Sequence, residues 1–111
     1  MANKTRVELV ELAAKKLGIL PPGTSLSSED STTIDSYVDP VLEDLSSREI
    51  VTIADDDDIE PRYFLYLATI LADACKEEYG GGTFDVDRAE AKLRHIERSG
   101  PSYETAKATY F

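Results

Sequence analysis

The sequence predicts an all-α protein: a compact bundle of about four helices with a short extended, hairpin-like segment and a C-terminal arm. Three observations support this prediction. Apolar residues recur mainly at spacings of three and four along four stretches of the chain. Proline and glycine separate these stretches. The length of 111 residues fits one domain. We therefore predict a helical domain over residues 1–100 and an extended arm over residues 101–111.

The first helix is predicted over residues 5–17. Thr5 and Glu8 have the spacing of a capping box, in which each residue's side chain binds the backbone amide of the other. Lys15 and Lys16 place positive charge at the negative end of the helix dipole. Gly18 supplies the residue that commonly ends a helix.

The second periodic stretch begins at Ser27 or Ser28, and its apolar stripe continues to Leu45. A pair of prolines, Pro21 and Pro22, separates it from the first helix. Pro40 lies inside the stripe, but the stripe keeps its phase across the proline. This pattern predicts one kinked helix rather than two.

Two more helices are predicted after the β-branched residues 50–53, which form either a lone extended segment or a small hairpin arm. Pro61 suits the first turn of the third helix, whose apolar and small residues indicate the central helix of the bundle. A fourth helix follows a cap at Asp85 or Asp87 and ends at Gly100 and Pro101. In it, Glu90 and Arg94 are spaced as an exposed ion pair.

The charge and the N-terminal sequence indicate the class of protein. A net charge of −10 and a pI near 4.4 disfavour sequence-specific binding of nucleic acid and favour a basic partner. The N-terminus leads directly into an amphipathic stretch, and no apolar run reaches a membrane-spanning length. We therefore expect a soluble protein that is made in a cytoplasm and does not bind membranes.

Residues 52–61, TIADDDDIEP, contain four consecutive aspartates: Asp55, Asp56, Asp57 and Asp58. A calcium loop alternates its ligands with spacers and requires a glycine and a glutamate at set positions, which this run lacks. Successive side chains of an extended chain also point in opposite directions. We therefore predict no metal site. The predicted role is that of an acidic loop, which caps the third helix, faces a channel or contacts a basic patch on a neighbouring subunit.

The sequence predicts no catalytic residue and no cofactor. Cys75, the single cysteine, lies on an apolar helical face and is expected to be buried and unreactive. His95, the single histidine, lies on the fourth helix, and nothing supports a Cys–His pair. The pair Asp35 and Ser36 resembles the phosphopantetheine attachment site of acyl carrier proteins. We keep this as a minor alternative, because Ser36 is predicted to lie in mid-helix rather than at a helix start.

The opening "KTRVELVELAAKKLGIL" resembles that of the head-to-tail adaptor proteins of tailed bacteriophages, also called tail accessory factors or packaged-DNA stabilisation proteins. The matching residues are Lys4-Thr5, Leu9-Val10 and Lys16-Leu17-Gly18. The likeness continues through "SSEDSTTIDSYVDPVLEDL", "EIVTI" and "YFLYLATILADACKEEYG", so it covers about residues 4–80. The chain departs from the long adaptors by its shorter length, its lack of their extended tail and its compact loop at residues 54–59.

This resemblance implies a structural virion protein rather than an enzyme. Its subunits would form a dodecameric ring beneath the portal, join head to tail and help to retain packaged DNA. The implied partners are the portal protein, neighbouring copies of the chain and tail or neck proteins, with DNA only as passing cargo. The protein would be located in the neck of the virion, which is assembled in the host cytoplasm. The arm would reach the portal through Tyr103, Lys107, Tyr110 and Phe111.

On grounds of residue chemistry, the arm is also expected to dock rather than to be a frayed terminus, because its aromatic side chains have no helical stripe with which to bury themselves. The acidic surface suits a channel that DNA passes, since it offers no cations to phosphates. The alternative function is a small acidic helical protein, with an interaction or regulatory role, that binds a basic partner.

Overall fold

The computed structural model describes residues 3–20 and 23–99, and it confirms the all-α class. A short 3₁₀ turn, Lys76–Tyr79, continues the fourth helix. The helices are α1 (Arg6–Leu17), α2 (Ser28–Asp35), α3 (Val38–Ser47), α4 (Pro61–Cys75) and α5 (Val86–Ser99).

Helix α1 begins and ends as its sequence predicts. The Thr5 hydroxyl accepts a hydrogen bond from the Glu8 amide at 3.2 Å, and the Glu8 carboxylate accepts one from the Thr5 amide at 2.9 Å. Gly18 ends the helix with φ of +80°, a conformation that favours glycine because it has no Cβ atom. The predicted capping box is confirmed.

The prediction of one kinked helix over the second stretch is wrong, because the chain forms two helices that meet at Ser36 and Tyr37. Pro40 has no amide proton to donate to the Ser36 carbonyl, and its ring would collide with that carbonyl in a continuous helix. The Tyr37 amide instead bonds to the Ile34 carbonyl at 3.0 Å, which tightens the turn. Val38 and Leu45 are both buried, so the apolar stripe keeps its phase although the helix does not continue.

Helix α4 is the central helix, as predicted, and it packs mainly against α1 and α5. Pro61 occupies its first turn, and Gly80 follows the 3₁₀ turn in a left-handed conformation. Its small and apolar residues allow neighbours on more than one side. Its buried residues are Tyr63, Phe64, Leu67, Ala68, Ile70, Leu71, Ala72 and Cys75.

Residues 50–53 form no hairpin, so that one of the two predictions for this segment is wrong. Ile50 and Val51 are buried as irregular chain. The isolated bridge in residues 3–20 and 23–99 instead joins Lys4 to Ile59, with two backbone hydrogen bonds of 2.7 Å. The β-branched side chains therefore contribute to the helical core, while the strand-like pairing involves the chain just before α1.

Helix α5 begins after Asp85, whose carboxylate accepts a hydrogen bond from the Arg88 amide at 3.0 Å. Asp85 is therefore the cap, one of the two predicted candidates. The predicted ion pair between Glu90 and Arg94 is wrong, because Glu90 binds Arg48 at the end of α3 at 2.7 Å. Only 14% of the Glu90 side chain is exposed, so it faces α3 rather than solvent.

Candidate functional site

The acidic loop, residues 55–58, folds back onto the start of α1. Asp57 accepts a hydrogen bond from the Arg6 amide at 3.2 Å, and Asp58 accepts one from the Asn3 side chain at 2.8 Å. The Asp55 carboxylate accepts from the Asp57 amide at 3.0 Å within the loop. Each of these carboxylates therefore provides a hydrogen-bond acceptor for a nearby backbone or side-chain N–H group.

The loop therefore caps a different helix from the one predicted. One of the three predicted roles was to cap the third predicted helix, which is α4, but the residue before α4 is Glu60 and its side chain makes no capping bond. The Lys4–Ile59 bridge brings the loop beside the free amides of α1, where negative charge is favourable. The contact between Asp57 and the Arg6 amide was not predicted, because the two residues lie far apart in sequence. The prediction of a channel-facing or inter-subunit role for Asp55, Asp56, Asp57 and Asp58 stays a prediction.

A second feature joins the loop to the break between α2 and α3. The Arg6 guanidinium binds Asp35 at 2.7 Å, Asp39 at 2.8 Å and Asp56 at 2.6 Å. We call these four residues the Arg6 junction. The carboxylates belong to the end of α2, the start of α3 and the acidic loop, so one side chain holds three segments to α1.

The Arg6 junction is partly shielded from solvent, and its contacts differ in strength accordingly. The exposed fraction of the side chain is 21% for Arg6, 29% for Asp56 and 76% for Asp39. The pair with Asp56 is therefore the least screened, while the pair with Asp39 contributes little. The hydrogen bonds that Arg6 donates to Asp35 and Asp39 raise the pKa of Arg6, so the guanidinium keeps its charge at every pH at which the protein folds.

Because Arg6 cannot release a proton, this cluster is suited to holding segments together rather than to acid–base chemistry. The guanidinium also lies among the carboxylates that would otherwise surround a cation. Among residues 3–20 and 23–99, no group of three or more histidine, cysteine or acidic side chains is arranged to hold a metal ion.

The two residues weighed for nucleophilic catalysis differ in exposure. Cys75 is buried, as predicted, and its thiol donates a hydrogen bond to the Leu71 carbonyl at 3.0 Å. Burial raises the pKa of Cys75 to about 11, which keeps the thiol protonated at neutral pH. His95 is exposed on α5.

Ser36 lies at the junction between α2 and α3, so its predicted mid-helix position is wrong. The side chain is exposed, and its hydroxyl donates a hydrogen bond to the Thr33 carbonyl at 2.6 Å. Tyr37 follows as the residue that precedes α3. Pro40 was the signal for this break, since proline is tolerated within the first turn of a helix.

The predicted portal contacts Tyr103, Lys107, Tyr110 and Phe111 lie outside the described residues, as does the predicted arm. The chain is described as far as Ser99, the last residue of α5. No helix within residues 3–20 and 23–99 is long and apolar enough to span a membrane.

The Arg6 junction was not predicted from the sequence, although one signal pointed to it. A positive charge in the first turn of a helix is unfavourable, because it faces the positive end of the helix dipole. Arg6 is the first residue of α1. Such a placement indicates a compensating anion from elsewhere in the chain, but it does not say which of the many carboxylates supplies it.

Comparison of the chain with protein-family models, with curated proteins and with solved structures finds no match.

Proposed function

We propose that this chain is a head-to-tail adaptor subunit of a tailed bacteriophage. In this role it forms a ring beneath the portal, joins the head to the tail and helps to retain packaged DNA. The observation that carries the proposal is the order of elements over residues 4–80, which begins with "KTRVELVELAAKKLGIL" and resembles that of phage adaptors.

The way in which these segments pack is compatible with this role. Helices α1 and α4 pack against each other, and Lys4 and Ile59 join the chain before α1 to the end of the acidic loop. The residues that carry the resemblance therefore belong to one folded unit. A ring subunit requires a rigid unit of this kind, because each copy must present the same two surfaces to its neighbours.

The charge also supports the proposal. Repeating a subunit of net charge −10 around a ring surrounds the channel with negative potential, which salt screens beyond about 10 Å at 0.1 M. Such walls offer few cations to phosphate groups, so DNA passes without being held by the wall. Retention of DNA would then depend on closure of the channel rather than on affinity for its lining.

The test is co-expression with the portal protein encoded in the same genome, followed by purification and electron microscopy. We expect a ring of adaptor subunits on one face of the portal, with the symmetry of the portal. A chain that stays monomeric and does not co-purify with the portal would contradict the proposal.

Deletion of residues 102–111 tests the role of the arm. We expect the shortened chain to keep its helical circular dichroism spectrum and to lose portal binding. A matched control replaces Tyr103, Tyr110 and Phe111 with alanine and leaves Lys107 and the chain length unchanged. Portal binding that survives the deletion would show that the arm is not the contact.

A carrier function on Ser36 is the second candidate, because the serine is exposed at the turn before α3. Incubation with a phosphopantetheinyl transferase and coenzyme A would then add one phosphopantetheine group to the chain. Mass spectrometry would show this addition, and Ser36→Ala would abolish it. An unchanged mass in the wild-type protein would exclude this function.

A further inference from the structure

A cleft of about 380 Å³ lies between the end of α3 and the C-terminal half of α5. We call it the arginine cleft, because three of the six arginines of this acidic chain line it. Its lining residues are Arg48, Glu49, Ile50, Arg94, Glu97 and Arg98.

Two of the lining residues already have polar partners within the subunit. Arg48 binds Asp44 at 2.8 Å, a local pair at the end of α3, and Glu90 at 2.7 Å, the contact that holds α3 to α5. The Glu97 carboxylate accepts a hydrogen bond of 2.5 Å from the Tyr63 hydroxyl. Arg48 therefore builds one wall of the cleft, whereas Glu97 and the exposed Glu49 keep their negative charge, because a hydrogen bond from a neutral hydroxyl does not neutralise a carboxylate.

Arg94 and Arg98 are different, because both are exposed and neither forms a hydrogen bond or an ion pair within the described part of the chain. They are four residues apart on α5, so their guanidinium groups extend from the same face of the helix. Like charges at this spacing repel each other and destabilise an isolated helix slightly. An anionic partner would remove that repulsion.

A surface of opposite charge lies at the other end of α4. Asp30 accepts a hydrogen bond from Tyr79 at 3.2 Å, and Glu78 accepts one from Tyr37 at 3.1 Å. With the exposed Glu77 beside them, these carboxylates form what we call the acidic face. The tyrosines hold two of the carboxylates in position but do not neutralise their charge.

Helix α4 separates the two surfaces. Tyr63, which contacts Glu97 of the cleft, lies in the first turn of α4, and the 3₁₀ turn with Glu77 and Glu78 follows its last residue. A helix of this length spans about 20 Å. The arginine cleft and the acidic face are therefore too far apart to pair within one subunit.

We propose that the arginine cleft binds the acidic face of a second copy of this chain, with Arg94 and Arg98 opposite Glu77 and Glu78. Two different surfaces that pair between copies give a head-to-tail contact, which closes into a ring when the rotation permits it. The partner is a second copy because each copy carries both complementary surfaces. This inference deepens the proposed function and rests on it for the ring.

The test uses charge reversal in the full-length chain. The cleft variant is Arg94→Glu with Arg98→Glu, and the face variant is Glu77→Arg with Glu78→Arg. Each should weaken self-association by about a hundredfold, because like charges then meet at two positions. The measurements are sedimentation velocity for the free protein and native mass spectrometry for the number of copies on the portal.

The decisive protein combines all four reversals. Its cleft is acidic and its opposite face is basic, so it should assemble with itself as the wild type does but fail to assemble with wild-type subunits. The control variant, Lys15→Glu with Lys92→Glu, makes the same change of charge outside the cleft and should leave assembly unchanged. Circular dichroism checks that every variant is folded.

The outcomes separate this inference from the proposed function. If the wild-type chain forms a ring on the portal and both reversal variants form it as readily as the control variant, the inference is overturned and the adaptor function stands. Self-association through these surfaces without portal binding supports the inference and contradicts the function. Loss of DNA retention in the cleft variant, with assembly intact, would assign the cleft to phosphate groups and overturn the pairing of copies.

Discussion

Helix α4 and the Arg6 junction both hold α1 in place, but they do so by different means. Helices α1 and α4 pack against each other, and both contribute small side chains to the core, such as Ala13, Ala14 and Ala68, all fully buried. The Arg6 junction instead uses one cation and three carboxylates, partly open to solvent.

This difference indicates which contacts stabilise the fold and which fix the relative positions of its segments. Burial of apolar surface stabilises without regard to direction. Ion pairs that are half exposed contribute less, but they fix where the segments lie relative to one another. We therefore expect α4 to determine whether the protein folds and Arg6 to determine how the acidic loop and the α2–α3 turn are presented.

The largest expected effect concerns the apolar contact. Leu67 is 1% exposed on α4, so Leu67→Ala should lower the free energy of unfolding by about 2–5 kcal/mol through lost burial and a residual cavity. The matched control is Leu65→Ala on the same helix, where the side chain is 58% exposed and the change should stay within about 0.5 kcal/mol. Urea denaturation measures both, and equal effects would contradict the central role of this face.

The same contrast explains how much of the fold could be predicted. Apolar periodicity predicted the positions of α1, α4 and α5, because each helix buries an apolar stripe whose spacing can be recognised in the local sequence. Periodicity did not predict the break at Ser36, because Pro40 interrupts the helix without disturbing the apolar stripe. An apolar stripe records which side of the chain is buried, and it does not record whether the backbone hydrogen bonds are continuous.

The candidate sites were less predictable than the fold. Pairs such as Arg6 with Asp56, or Arg48 with Glu90, join residues far apart in sequence and leave no periodic pattern. With 22 acidic residues in the chain, each arginine has many possible partners. The sequence therefore favours the local pair of Glu90 with Arg94, whereas tertiary packing selects Arg48.

The next largest effect is expected at the Arg6 junction. Arg6→Met keeps much of the apolar stem but leaves Asp35, Asp39 and Asp56 facing one another, which should lower stability by about 2 kcal/mol. The loss should be smaller in 1 M salt, because screening weakens both the lost attraction and the new repulsion. Thermal unfolding at low and high salt measures this dependence.

Arg94→Met is the matched control, since Arg94 forms no ion pair within residues 3–20 and 23–99. Its stability should change by less than about 0.5 kcal/mol. If the two variants unfold alike at low salt, the Arg6 junction contributes no stability and serves only to position the acidic loop.

A smaller effect is expected where a polar contact supports the apolar region. Tyr63 is buried on α4 and donates to Glu97, so Tyr63→Phe should lower stability by about 1 kcal/mol at neutral pH. Burial and the Glu97 carboxylate raise the pKa of Tyr63 from 10.0 to about 12. The folded state therefore keeps a proton that the unfolded chain loses, and the stabilisation disappears as the pH rises from 10 to 12.

The free energies of unfolding of the wild type and of Tyr63→Phe should accordingly converge over that pH range. Cys75, whose pKa is about 11, titrates in both proteins and so cancels in the comparison. A difference that stays constant from neutral pH to pH 12 would contradict the link between the Tyr63 proton and folding.

The smallest effect is expected at Glu49, which lies in neither contact region but joins α3 to the buried Ile50. Glu49 has φ of +60°, and the Ile50 amide bonds to the Leu45 carbonyl at 2.9 Å, the pattern that usually ends a helix with glycine. A side chain in this conformation costs about 1–2 kcal/mol. Glycine removes that strain but gives the unfolded chain more freedom, so Glu49→Gly should gain only about 0.5 kcal/mol.

Glu49→Ala is the control, because it removes the carboxylate and keeps the Cβ atom that causes the strain. Urea denaturation should show a gain for glycine and none for alanine. An equal gain in both variants would mean that the charge of Glu49, rather than its backbone, is unfavourable beside Glu97 at the rim of the arginine cleft. Because either substitution leaves α4 and the Arg6 junction untouched, this pair measures the strain at the end of α3 alone.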